Sequence, residues 1–147
     1  MRVQLALNVD NLDESIEFYS KMFDTEPYKV KDGYANFAIA QPPLKLVLFE
    51  QAGNGGTLNH LGVEVEDSSQ VEAAEARIAG TGLSTTGVDD VLCCYAGKTE
   101  TWVEGPDTRW EWYVKTSDVE VATYENVSPG DVVGDATVCC TPDSIAG

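Results

Sequence analysis

Two stretches decide the fold: Gln4–Tyr19, QLALNVDNLDESIEFY, and His60–Glu75, HLGVEVEDSSQVEAAE. Aligned without a gap, they set Gln4 on His60, Val9 on Val65 and Ser15 on Val71, a constant offset of 56 residues. Each opens on an apolar, β-branched run that reads as a strand. Each then offers a capping residue, Asp10 or Asn11 in the first and Asp67 or Ser68 in the second. A helical stripe follows. Leu12, Ile16, Tyr19 and Phe23 recur at three- and four-residue steps, predicting a helix from Leu12 to about Phe23. Val71, Ala74, Ala76 and Ile78 give a weaker stripe through about Ala79, where Gly80 and Gly82 end it.

Downstream of each helix the strand signals resume. Tyr28–Lys31, Tyr34–Ala40 and Leu44–Glu50 follow the first, with a hairpin turn at Asp32-Gly33 and a break at Pro42-Pro43. Leu83–Val88, Val91–Ala96, Thr99–Val103 and Trp110–Lys115 follow the second. Self-similarity at this period predicts an α+β fold of two βαβββ modules, at about residues 1–52 and 58–116. Neither copy has enough apolar residues for a core of its own. The two sheets are therefore expected to join in one curved, half-barrel-like surface within a single domain, residues 1–116. Residues 117–147, rich in Asp, Gly, Ser and Pro, read as an acidic, mobile tail carrying a second CC pair, with VEVATYENV as a short edge strand within it.

The chain has 147 residues and a formal charge of −16, from 9 Lys and Arg against 25 Asp and Glu. A surface this acidic repels phosphate backbones and anionic lipid, which argues against nucleic acid and membranes as partners. No apolar run reaches the ~20 residues that cross a bilayer, and the N-terminus lacks a signal-peptide pattern, so the expected location is the cytoplasm. In that reducing compartment the 4 cysteines point to chemistry or soft-metal binding rather than to a disulfide framework.

The cysteines come as adjacent pairs, Cys93-Cys94 and Cys139-Cys140. Neighbouring Cα atoms stand ~3.8 Å apart, too close for an unstrained disulfide. Two thiolates can instead converge on one soft atom. On a regular strand they would point to opposite faces, so chelation needs a bulge or loop there; otherwise the pair is simply two small core residues. His60 is the only histidine, and Glu111 lies between Trp110 and Trp112. Singly, each has a plain explanation: a hydrogen-bonded surface histidine, and a solvent-facing glutamate with the tryptophans turned inward. Together with Gln4, at the position equivalent to His60, they form an N/O set with open positions, suited to a divalent ion such as Fe(II).

The pattern resembles the vicinal oxygen chelate superfamily, which includes glyoxalase I, fosfomycin-resistance proteins and extradiol dioxygenases. VQLALNV, GYANFAIAQPPLKLVLFE, LNHLGVEVED, CCYAGKTETWV and WEWYV together resemble the carbon–arsenic lyases and the related cadmium-induced proteins, over roughly residues 1–115. The resemblance implies a shared metal cavity and Fe(II)- and O2-dependent cleavage of the carbon–arsenic bond in trivalent organoarsenicals such as methylarsenite; Ni, Co or Zn can substitute for iron. It assigns Gln4, His60 and Glu111 as metal ligands and Cys93 and Cys94 as the arsenical-binding thiols; Cys139 and Cys140 are candidate accessory thiols on their pairing alone, against the plain alternative of a tail pair without function. No general base stands out. Gln4 departs from the usual two-histidine set, and LKLVLFE has no carboxylate near Leu44–Leu46 to act as the fourth ligand of glyoxalase-type sites, Glu50 lying too far along the strand. The cadmium-induced relatives imply an alternative, a thiol protein that sequesters cadmium or arsenite without turnover. Proteins of paired modules often form two-fold dimers, so a homodimer is also in view.

Overall fold

The computed structural model describes residues 1–93, 95–118 and 125–126. Its contacts divide the chain into two compact units, Arg2–Gly62 and, with Met1, the residues from Val63 onward. The first holds the first module and most of the strand that opens the second; the other unit holds the remainder of the second module.

In the first unit β1 (Arg2–Val9) leads to α1 (Leu12–Phe23), then to β2 (Lys29–Lys31), β3 (Tyr34–Ile39) and β4 (Leu44–Glu50). β5 (Leu58–Glu64) begins the second module. The sheet order is β2-β3-β4-β1-β5, with β1 and β4 parallel and the β2–β3 and β3–β4 pairs antiparallel. α1 starts where it does because the Asn11 side chain accepts the Glu14 amide, and it stops at Asp24, which turns left-handed at φ 48°. Gly33, at φ 70°, makes the turn expected at Asp32-Gly33. Strand alternation then sorts the side chains. Leu5, Leu7 and Val9 join Ala35, Phe37, Ile39, Leu44, Leu46 and Leu48 beneath Leu12, Ile16, Tyr19 and Phe23. The alternate positions of β1 are Gln4, Ala6 and Asn8, all buried. Burial on both faces, one apolar and one polar, is what gives this unit a site.

In the second unit α2 (Ser68–Ala79) is followed by β6 (Asp89–Cys93), β7 (Ala96–Glu104) and β8 (Arg109–Asp118). Asp67 and Gln70 close a reciprocal capping box at the start of α2. The strand order is β8-β7-β6-β9, where β9 is the two-residue strand Glu125–Asn126 paired antiparallel with β6. α2 packs on β7 and β8. Val71, Ala74 and Ile78 meet Val63, Val65, Val103, Trp110 and Trp112 there.

One expected strand is absent. Leu83–Val88 makes only an isolated bridge, Thr85 to Val103. Two backbone bonds to β7 flank it, Thr86 N to the Trp102 carbonyl at 3.0 Å and Glu104 N to the Ser84 carbonyl at 3.1 Å. Beyond them side chains take over, the Thr86 hydroxyl accepting the Trp102 amide and the Thr85 hydroxyl donating to Glu75. Gly82 and Gly87, at φ 89° and 81°, bend both ends. With that segment removed the second module counts βαβββ like the first. The strand expected over Val91–Ala96 is also broken, because β6 ends at Cys93 and β7 begins at Ala96.

Candidate functional site

In the first unit the two residues that the repeat makes equivalent come together. Gln4 Nε2 lies 3.1 Å from His60 Nε2, and both side chains are buried. The other ring nitrogen, Nδ1, is 2.8 Å from Asn59 Oδ1. An amide oxygen can only accept, so Nδ1 carries the proton and a neutral ring presents its lone pair at Nε2. Asn59 Nδ2 donates in turn to Asn8 Oδ1 at 3.0 Å, and Asn8 Nδ2 to the Thr57 hydroxyl at 3.0 Å. Asn8 and Asn59 are nearly inaccessible, at 4% and 1% exposure, so these bonds replace water that the amides have lost.

In the second unit a charged cluster sits in the interior. Glu111 is wholly buried, and Lys98 Nζ reaches its Oε1 at 2.7 Å. The same ammonium stands 4.8 Å from the centre of the Tyr113 ring. Glu100 is the third member. Burial, and then the neighbouring Glu111 charge, push its carboxyl up to about 8 against the pull of Lys98, so it is largely protonated at neutral pH. Trp102 Nε1 donates to Glu100 Oε1 at 2.9 Å, while among the described residues Glu100 Oε2 has no hydrogen-bond partner. Tyr113 donates to Glu64 at 2.8 Å. Glu111 thus reverses its plain sequence reading: Trp110 and Trp112 pack with α2, and the carboxylate between them is buried rather than solvated.

Cys93 is the last residue of β6 and pairs with Ala96. Tyr95, just before β7, has φ 61°, a left-handed conformation uncommon for an aromatic residue. Cys94, Cys139 and Cys140 lie outside the described residues. Asn8, Asn59, Lys98 and Glu100 were not singled out from sequence. The available signal was KTET in β7, a strand with Lys98 and Glu100 on one face and threonines on the other, where no apolar face indicates burial.

Two βαβββ modules, opened by strands that carry Gln4 and His60 at equivalent positions, define a glyoxalase-type protein. The chain belongs to the glyoxalase/bleomycin resistance protein/dioxygenase superfamily, whose family model matches residues 2–94. It is 52% identical to a trivalent organoarsenical cleaving enzyme of Thermomonospora curvata, over 96% of this chain and 89% of that protein. It is 51% identical to the cadmium-induced protein CadI of Mycobacterium tuberculosis, over 95% of this chain and 92% of that protein. Among solved structures it resembles the Mn(II)-bound glyoxalase from Novosphingobium aromaticivorans in fold, with a TM-score of 0.57 at 17% identity, covering 81% of this chain and 41% of that one.

A divalent ion needs lone-pair donors, and the donor chemistry here fits. His60 holds its proton on Nδ1 and offers Nε2, the arrangement a metal-binding imidazole requires. The Gln4 amide faces the same nitrogen through its NH2, which leaves its oxygen as the lone-pair donor; in the second unit the Glu111 carboxylate is likewise a buried donor. Among the described residues no three His, Cys, Asp or Glu side chains cluster together; the expected set contains two such groups and an amide. Also among the described residues, no helix is long and apolar enough to cross a membrane.

Proposed function

We infer that this protein is an enzyme that cleaves the carbon–arsenic bond of trivalent organoarsenicals. Gln4, His60 and Glu111 hold Fe(II), and Cys93 and Cys94 hold the arsenic. The observation that carries this reading is the 52% identity, across 96% of the chain, to the organoarsenical cleaving enzyme of T. curvata. The lone pair prepared at His60 Nε2 supports the metal assignment. Bound Fe(II) would supply the chemistry that consumes O2.

The chain's own residues do the rest. Two thiolates chelate the soft As(III) and hold it in place, converting a bimolecular encounter into a positioned one. Asn59 orients the imidazole. Lys98 balances the charge of Glu111 in an interior where an unpaired carboxylate would be costly. The products are arsenite and an oxidised organic fragment.

A second reading has support in the CadI relatives at 51% identity: the thiols sequester a soft ion and no turnover follows. One experiment separates the two. Protein loaded anaerobically with Fe(II) is mixed with methylarsenite, and the arsenic species are measured with and without O2. Catalytic release of arsenite that needs both Fe(II) and O2 is the expected result. Stoichiometric binding, with methylarsenite recovered intact, would establish the scavenger instead.

A further inference from the structure

The hydrogen bonds behind His60 run in one direction only, and a backbone carbonyl sets it. The Thr57 hydroxyl lies 2.6 Å from the Asn54 carbonyl oxygen, which cannot donate, so the hydroxyl spends its single proton there. Thr57 Oγ1 must then accept from Asn8, which places the Asn8 NH2 at Thr57 and its oxygen at Asn59. Asn59 must likewise give its NH2 to Asn8 and turn its oxygen to His60 Nδ1. The reverse polarity would face two acceptors across the Thr57–Asn54 contact. The backbone secures the anchor: Asn8 N donates to the Thr57 carbonyl at 2.9 Å, and Gly56 N to the Asn8 carbonyl at 2.9 Å. Asp10 Oδ1 accepts the amides of Gly53 and Gly55 at 2.8 and 3.0 Å, which fixes the same loop.

We propose that Asn54, Thr57, Asn8 and Asn59 form a polarity relay in which a surface-loop carbonyl fixes the tautomer of His60, keeping the proton on Nδ1 and the lone pair on Nε2. Thr57, Asn8 and Asn59 are positioning residues. They act through the imidazole, and their use in metal binding rests on the function proposed above. Thr57 is the informative member because it is exposed and remote from the ring, so its change leaves the packing around His60 intact.

The tautomer can be read without metal or substrate. His60 is the only histidine, so a long-range proton–nitrogen spectrum of the full chain in chelator, at roughly pH 8 and above the ordinary histidine pKa, needs no assignment. Wild type and Thr57→Ser are expected to show the proton on Nδ1. Thr57→Val, whose relay can run either way, and Asn59→Leu are expected to lose that single tautomer. A wild-type proton on Nε2, or a Thr57→Val spectrum matching wild type, would overturn the relay.

Calorimetric titration with Mn(II) tests its purpose. Asn59→Leu should weaken binding by roughly 10- to 100-fold, the usual effect of losing an outer-sphere partner. Thr57→Val should shift in the same direction, and Thr57→Ser should match wild type. An altered tautomer with unchanged Mn(II) affinity would refute the link to metal. If the tautomer responds but no form of the protein binds Mn(II), the relay stands and the metal-dependent reading of function falls.

Discussion

Replacing Lys98 with Met tests the interior of the second unit most directly. The side chain is 8% exposed, its partner Glu111 is 0% exposed, and they meet at 2.7 Å. Met keeps the apolar stem and much of the volume but removes the charge. A buried carboxylate that loses its partner costs about 3–5 kcal/mol. It can escape by taking a proton, and that route caps the loss. Protonating a carboxyl of ordinary pKa, about 4.3, costs about 3.7 kcal/mol at pH 7 and about 1 kcal/mol at pH 5. Lys98→Met should therefore lose about 3–4 kcal/mol at pH 7 and much less at pH 5. The assay is urea unfolding followed by tryptophan fluorescence, in chelator so that only protein groups contribute. Lys98→Met/Glu111→Gln, which removes both charges, should lose less than the sum of its two single variants, with a coupling of about 2 kcal/mol or more. A loss below about 1 kcal/mol at pH 7, or strictly additive single effects, would refute the claim that Lys98 makes the burial of Glu111 tolerable.

Glu100 predicts a pH dependence of opposite sign to the usual carboxylate. Its folded value is raised from 4.5 to about 8 by burial and by Glu111, so between those limits the folded state keeps a proton that the unfolded state has released. Its contribution is present below pH 4.5 and is lost as pH rises toward 8, at up to about 1.4 kcal/mol per unit. Glu100→Gln mimics the protonated form, so its stability relative to wild type should climb from about pH 5 to pH 8 in chelator-treated protein; a difference that is flat with pH would show that Glu100 does not hold its proton. For the thiols, Cys93→Ser and Cys94→Ser should each abolish arsenite release while leaving Mn(II) affinity within about threefold of wild type, since serine is a poor ligand for soft As(III). Normal turnover in either variant would remove arsenic chelation from the mechanism.

The helices and most strands were legible because their signals are local and redundant. α1 has a capping residue at Asn11 and an apolar stripe from Leu12 to Phe23, and both place its ends at the same residues. The repeat supplied topology, because a second copy of strand, cap and stripe at a fixed spacing is difficult to explain except as a second module. Leu83–Val88 misled for a physical reason. Its composition fits a strand, but Thr85 and Thr86 satisfy neighbouring groups through their hydroxyls, so the segment joins β7 by a single bridge and two backbone bonds and pairs no further. Propensity describes what a backbone can do; side chains that bond outside the ladder decided what this one does.

The polar interior was much less legible, and the reason bears on function. His60 stood out by being alone and Gln4 by the repeat, but Asn8 and Asn59 look like ordinary strand-end asparagines. Their role depends on direction: each amide has a donor and an acceptor end, and which end faces the ring follows from a hydroxyl and a carbonyl in the loop near Asn54. The same holds for Lys98, Glu100 and Glu111, which sequence patterning would assign to water because charge normally means exposure. Lys98 and Glu111 are buried as an ion pair, and Glu100 beside them is buried by keeping its proton. Buried polar groups are costly to the fold, and cost of this kind is tolerated most readily where the groups have work to do. The chain has placed one such network behind a prepared imidazole and another around a buried carboxylate, the two kinds of donor from which the proposed metal set is drawn.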